Sequence, residues 1–180
     1  PDKKDELHSF ISSYSADLRT FFESLCSLLE RTHKDTAYYK FFCFLNPSAY
    51  LYPLIIRLNA RGLLDYSIPG PKDMTVLDLL ETVDFRVYKI GNSSARADIA
   101  SLARKAQSLQ VKDISAELWK FVNTFCGDGS FRNNLEGPSL YGTDRGLPFL
   151  FIEYSEKRRE KEYELSELVK HKKNQPTIEH

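Results

Sequence analysis

The stretch Glu6–Arg31, ELHSFISSYSADLRTFFESLCSLLER, decides the fold class. Its apolar residues Leu7, Phe10, Ile11, Tyr14, Leu18, Phe21, Phe22, Leu25, Leu28 and Leu29 recur every three or four positions, a spacing that places them along one side of an α-helix of roughly seven turns. A strand would alternate instead. Asp17, Arg19, Glu23, Glu30 and Arg31 supply the polar side, and Asp2, Asp5 and Glu6 stand where the positive end of the helix dipole favours negative charge.

Outward from this helix the same period continues. Ala37–Leu45 is apolar on all sides, as in a short buried helix, and Asn46-Pro47 breaks it. The spacing predicts a third helix over Pro47–Arg61, with Pro53 kinking it or marking a late start and Gly62 capping its end against Leu63 and Leu64. Asp65–Asp73, centred on Pro69-Gly70-Pro71, reads as an exposed loop. Helical spacing resumes at Val76, Leu77, Leu80 and Val83. The next residues, Phe85–Ile90, alternate apolar and basic side chains, yet a lone strand has no partner here, so they read as the end of that helix. Ser94 is expected to cap a helix carrying Ile99, Leu102, Ala103, Ala106 and Leu109, and Asp113 another carrying Ile114, Leu118, Phe121, Val122 and Phe125. Gly127–Gly146 reads as irregular. A final helix over Leu147–Lys170 is charged from Glu156 onward, so its second half is expected to project toward solvent or a neighbouring domain. No strand is required anywhere. The expected fold is all-α, an irregular bundle of about six or seven helices occupying residues 1–175.

Composition sets the outer limits. The 180 residues include 42% hydrophobic side chains, and 25 Lys and Arg balance 25 Asp and Glu. Such a chain buries a core without disulfides or metals, and it is too apolar to be disordered. Zero net charge removes the argument from a globally basic chain for nucleic-acid binding, while a local basic face remains open. Phe41–Leu45 and Leu147–Ile152, the longest apolar runs, are too short to cross a bilayer, and the opening PDKKDEL is no signal peptide. A cytoplasmic protein with no membrane partner is expected. Cys26, Cys43 and Cys126 are odd in number and far apart, and they read as small core residues in a reducing compartment. The four histidines show no ligand spacing. A start without methionine and a stop at PTIEH suggest a piece of a longer protein.

Candidate chemistry is sparse. There is no G-x-S-x-G elbow, and the glycine-rich pieces Gly127-Asp128-Gly129 and Gly142–Gly146 lack the lysine and spacing of a phosphate cradle. One basic concentration stands out. Arg86, Lys89, Arg96, Arg104 and Lys105 face a single acid, Asp98, within twenty residues. They are candidate phosphate-backbone contacts, with Tyr88 beside them, or else an ordinary solvated face. The seven Lys or Arg and five Glu of Glu156–Lys173 are better explained as helix-stabilising pairs.

Four blocks in order, Phe44–Leu54 (FLNPSAYLYPL), Asp84–Ile90 (DFRVYKI), Ala97–Ala103 and Pro176–His180 (PTIEH), resemble the helical middle region of GmrSD-type modification-dependent restriction endonucleases. The resemblance implies a ParB-like nucleotidase domain before this region and a nuclease of the HNH, or His-Me finger, type after it. Neither module is in this sequence. Residues 176–180 would be the start of that nuclease, and His180 its first catalytic histidine, the general base that activates water in the full-length parent. A histidine after glutamate at a chain end is also what a trimmed purification tag leaves.

The resemblance implies a divalent cation and a nucleotide triphosphate for the parent, with no cofactor in this region itself. The expected role is to couple nucleotidase to nuclease in bacterial phage defence. Its partners would be the flanking domains of the same chain, with DNA a further candidate. The alternative is a helical protein-interaction domain with no nucleic-acid role, docking through exposed aromatic residues. A stand-alone enzyme has the least support, because no convergent acid, base and nucleophile are visible.

Overall fold

The computed structural model describes residues 3–69, 74–137 and 146–173, and over these the protein is an all-α bundle with one small hairpin. α1 (Lys3–Thr32) is one unbroken helix. α2 (Thr36–Tyr39) starts on Asp35, whose carboxylate accepts the Ala37 and Tyr38 N–H groups, and runs directly into a π-helical segment, Lys40–Leu45. Asn46, at φ 53°, ends that segment in the left-handed conformation that asparagine tolerates. After a 3₁₀ turn, Ala49–Leu51, α3 (Tyr52–Ala60) begins with Pro53 in its first turn, so the proline marks a late start and makes no kink. Gly62 caps it at φ 65°, and the Leu63 N–H returns to the Leu58 carbonyl.

The chain is not free of strands. β1 (Ser67–Ile68), with Ile68 buried, lies inside the expected exposed loop Asp65–Asp73 and pairs antiparallel with β2 (Met74–Thr75), while residues 70–73 of that loop lie outside the described residues. α4 (Val76–Val83) opens on a capping box between Thr75 and Asp78 and continues as a second π segment, Asp84–Ile90, in place of a strand. α5 (Ala97–Lys105) starts after Arg96 and α6 (Val111–Cys126) after Gln110. Neither Ser94 nor Asp113 is therefore the cap. Asp113 lies inside the first turn, where its charge still favours the dipole.

The glycine-rich stretch holds a further helix, α7 (Asp128–Glu136). The single C-terminal helix is in fact two, α8 (Leu147–Arg159) and α9 (Leu165–Lys173), because Glu160 turns left-handed at φ 54°. Tyr163 and Leu168 are buried, so α9 folds back onto α2 and the first π segment instead of projecting. These two differences raise the helix count among the described residues to nine.

One apolar core joins the elements. α4 packs on α6, and α3 lies between α1 and α5. Leu54, Ile55 and Leu58 of α3, Leu79, Leu80 and Val83 of α4, and Ile114, Leu118 and Val122 of α6 are nearly or completely buried within it. Cys126 belongs to this core and Cys43 is half-buried, but Cys26 is exposed on α1. Pro176–His180, including His180, lies outside the described residues.

Gly91, which ends the second π segment, and Gly129, in the first turn of α7, are under opposite constraints. A Cβ on Gly91 would stand 2.8 Å from the backbone oxygens of both Arg86 and Val87, whereas one on Gly129 in α7 meets nothing within 4 Å. Gly91→Ala is expected to lower the thermal unfolding midpoint, and Gly129→Ala to raise it slightly, stabilising by less than the roughly 0.5–1 kcal/mol that a mid-helix glycine costs. Melting curves of the two variants beside the wild type check both signs.

Candidate functional site

Two regions carry features that the core does not require. The first is the junction of the two π segments. Asp84, 0% exposed, opens the second segment, and its Oδ1 accepts the Ser48 N–H at 2.7 Å. Its Oδ2 has no hydrogen bond and lies 3.5 Å from Lys89 Nζ, one helical turn on. Lys89 Nζ donates to the Asn46 carbonyl at 2.6 Å. The carboxylate and the lysine thus hold the turn Asn46-Pro47-Ser48 from both sides. Burial pushes the Asp84 carboxyl up to about 6, against the lowering effects of Lys89 and of the Ser48 N–H.

Around this junction the Tyr50 and Tyr88 rings meet at 5.9 Å, Tyr88 Oη donates to the Ala95 carbonyl at 2.8 Å, and the Arg96 guanidinium lies 4.7 Å over the Tyr50 ring. A cavity of about 320 Å³ opens here, lined by Ser48, Tyr50, Tyr88, Lys89 and Asn92–Ser94. Two of the four sequence blocks, Phe44–Leu54 and Asp84–Ile90, therefore meet at one place, joined by Ala95 and Arg96 just before the third. The contacts that join them are those of a folding clamp.

The candidate phosphate contacts divide accordingly. Arg86 donates to the Asp128 carboxylate at 2.7 Å and to the Cys126 carbonyl at 3.0 Å, and it lies over the Phe131 ring. With Lys89 it is engaged inside the fold, each side chain only 15% exposed. Arg96, Arg104 and Lys105 are exposed, Arg96 just before α5 and the other two in its last turn. A structural role for Lys89 had one sequence signal, the acid Asp84 five residues before it, between the apolar Val83 and Phe85.

A second cavity, of about 400 Å³, holds Lys40, Asp78, Glu81, Glu153 and Glu162. Lys40 Nζ donates to Glu153 at 2.7 Å and to Glu156 at 2.9 Å, tying α8 to the first π segment. Burial alone would lower the Lys40 pKa, but these two carboxylates more than reverse that and hold it raised. Burial and the neighbouring Glu153 charge push Glu81 up to about 8. Among the described residues no group of three His, Cys, Asp or Glu side chains is arranged to hold a metal ion.

The second region is α1. Every residue from Lys3 to Glu23 is exposed, including Phe10 at 65% and Phe22 at 56%. Only the last third is anchored. Leu28 and Thr32 are buried, Ser24 Oγ donates to the Ile56 carbonyl, Asn59 donates to Ser24, and Arg31 pairs with Asp65 at 2.8 Å. Comparison with protein-family models, with curated proteins and with solved structures found no match. Among the described residues no helix is long and apolar enough to cross a membrane.

The clamp makes Lys89 a stability residue. Lys89→Ala leaves Asp84 buried without its counter-charge, a loss expected at about 3–5 kcal/mol when the carboxylate is ionised. Because the folded-state pKa of Asp84 is raised to about 6, folding favours its protonated form, and stability falls as pH rises from the ordinary carboxylate range through 6. The Lys89→Ala deficit is therefore larger at pH 8 than at pH 5. Denaturant titrations at the two pH values measure it, with Arg104→Ala as the near-neutral control.

Proposed function

We propose that this chain is a coupling module that works by docking through α1, and that it belongs to a GmrSD-like, nucleotide-dependent DNA endonuclease of the cytoplasm. The observation that carries the docking role is the apolar side of α1 from Leu7 to Phe22, which no element of the described fold covers. Monomeric proteins rarely leave such a continuous apolar strip in water. The endonuclease setting rests on the sequence blocks. In that setting the divalent cation and nucleotide triphosphate bind the flanking modules, His180 acts in the nuclease, and this region transmits the state of one module to the other.

DNA contact is the lesser part of the reading. With Arg86 and Lys89 held internally, Arg96, Arg104 and Lys105 remain to face a duplex, which supports weak, salt-sensitive binding with little sequence preference. The same loss of two cations favours the second reading, a protein-interaction domain with no nucleic-acid role. Titration of labelled duplex at two salt concentrations separates them. Binding only at low salt, with affinity and salt slope both reduced by replacing Arg96, Arg104 and Lys105 with Ala, supports DNA contact, and no binding at low salt removes it.

Coupling itself is tested in the full-length parent. Phe10→Ser with Tyr14→Ser is expected to preserve nucleotide hydrolysis while DNA cleavage loses its dependence on nucleotide. Unchanged coupling in a variant that folds normally would refute the role given to α1.

A further inference from the structure

The apolar residues of α1 have a stricter order than amphipathicity demands. Leu7, Ile11, Tyr14, Leu18, Phe21, Leu25, Leu28 and Thr32 follow one another at steps of four and three without a break, the seam of a coiled coil. At its C-terminal end this seam is already filled by the body, where Leu28 and Thr32 are buried and α3 lies alongside. α3, however, has nine residues against the thirty of α1, so it spans about 14 Å of a helix about 45 Å long. Among the described residues nothing continues the packing beyond Ser24. The seam goes on for five more positions, Leu7 to Phe21, flanked by Phe10 and Phe22, with every side chain exposed.

We infer that the occupant of this free seam is α1 of a second copy of the chain, running antiparallel. This rests on the docking role of α1 proposed above and names its partner. A helix with the same seam is the complementary surface for a four-three pattern. Antiparallel pairing over residues 3–22 sets Leu7 against the partner's Leu18 and Ile11 against the partner's Tyr14. A parallel pair would instead drive the two bodies together at Leu25–Thr32, where α2 and α3 already sit.

The available area is adequate. The rings of Phe10, Tyr14, Phe21 and Phe22 are each about half uncovered, which offers roughly 400 Å² at about 150–250 Å² per aromatic side chain. Leu7, Ile11 and Leu18 bring the strip near the roughly 800 Å² per partner of a standard interface. The polar side of this part of α1 balances Lys3, Lys4 and Arg19 against Asp5, Glu6, Asp17 and Glu23. It lacks the basic excess that would match an anionic lipid surface.

The experiment is sedimentation equilibrium of the 180-residue chain at micromolar and higher concentrations, wild type beside Ile11→Asp and Leu18→Asp, with thermal unfolding of each. A dimeric wild type and two monomeric variants with unchanged unfolding of the body are expected. A monomeric wild type, or a dimer that survives both substitutions, overturns the inference. If the wild type is monomeric while Phe10→Ser with Tyr14→Ser still uncouples the parent, α1 keeps its docking role and the second copy is excluded as its occupant. A monomer that collects on anionic vesicles replaces the second copy with a membrane surface. For orientation, a spin label at Glu23→Cys, with the native cysteines changed to Ala, should lie about 30 Å from its copy in the antiparallel pair. A separation near 10 Å would show a parallel one.

Discussion

The buried carboxylate of Asp84 is the constraint on which the arrangement of the bundle turns. A charge with no exposure must be met by donors, and here it is met by the Ser48 N–H and faced by Lys89. Those donors come from the turn between the first π segment and α3 and from the second π segment, so satisfying one group fixes two otherwise separate halves of the chain. The π geometry is part of the solution. Asp84 and Lys89 are five residues apart, and the i→i+5 segment carries both toward Asn46 and Ser48.

A second buried pair does the same for the C-terminal helices. α8 buries Leu147, Phe149 and Ile152, and it is further seated by Lys40 reaching Glu153 and Glu156. Glu156 also accepts the Tyr163 N–H at 2.9 Å, while Tyr163 Oη lies 2.7 Å from Ser155 Oγ. One carboxylate thus fixes both the helix it belongs to and the turn that returns α9 to the body. Glu81, close to the same cluster, has its pKa raised to about 8, which keeps a further negative charge out of a site where two carboxylates already share one lysine.

These pairings explain what was legible in the sequence and what was not. Apolar period identified α1, α3, α4 and α6, and the Gly62 cap was readable because only a left-handed residue ends α3 in that way. The charged residues misled. Glu156 and its neighbours looked like a solvated helix face, and Arg86 with Lys89 looked like cations available to DNA, because sequence gives a residue's charge without its partner. Asp128, Glu153 and the Cys126 and Asn46 carbonyls are all distant in the chain from the cations they hold. The Ser94 and Asp113 caps failed for a related reason. Packing of Ile99 and Ile114 into the core sets where α5 and α6 begin, and the helices start without a side-chain cap.

α1 shows the converse limit. Its pattern was read correctly as a helix with one apolar side, which leaves open whether that side packs on its own chain or on a neighbour. The pattern states only that an apolar partner exists along the whole length. Which partner serves each turn depends on the lengths of the other elements, and α3 ends too soon to serve more than the last third. Burial of the free turns would remove several rings from water at about 25 cal/mol per Å², while leaving the Asp84 and Lys40 pairings untouched. Association at α1 and stability of the body are therefore physically separable.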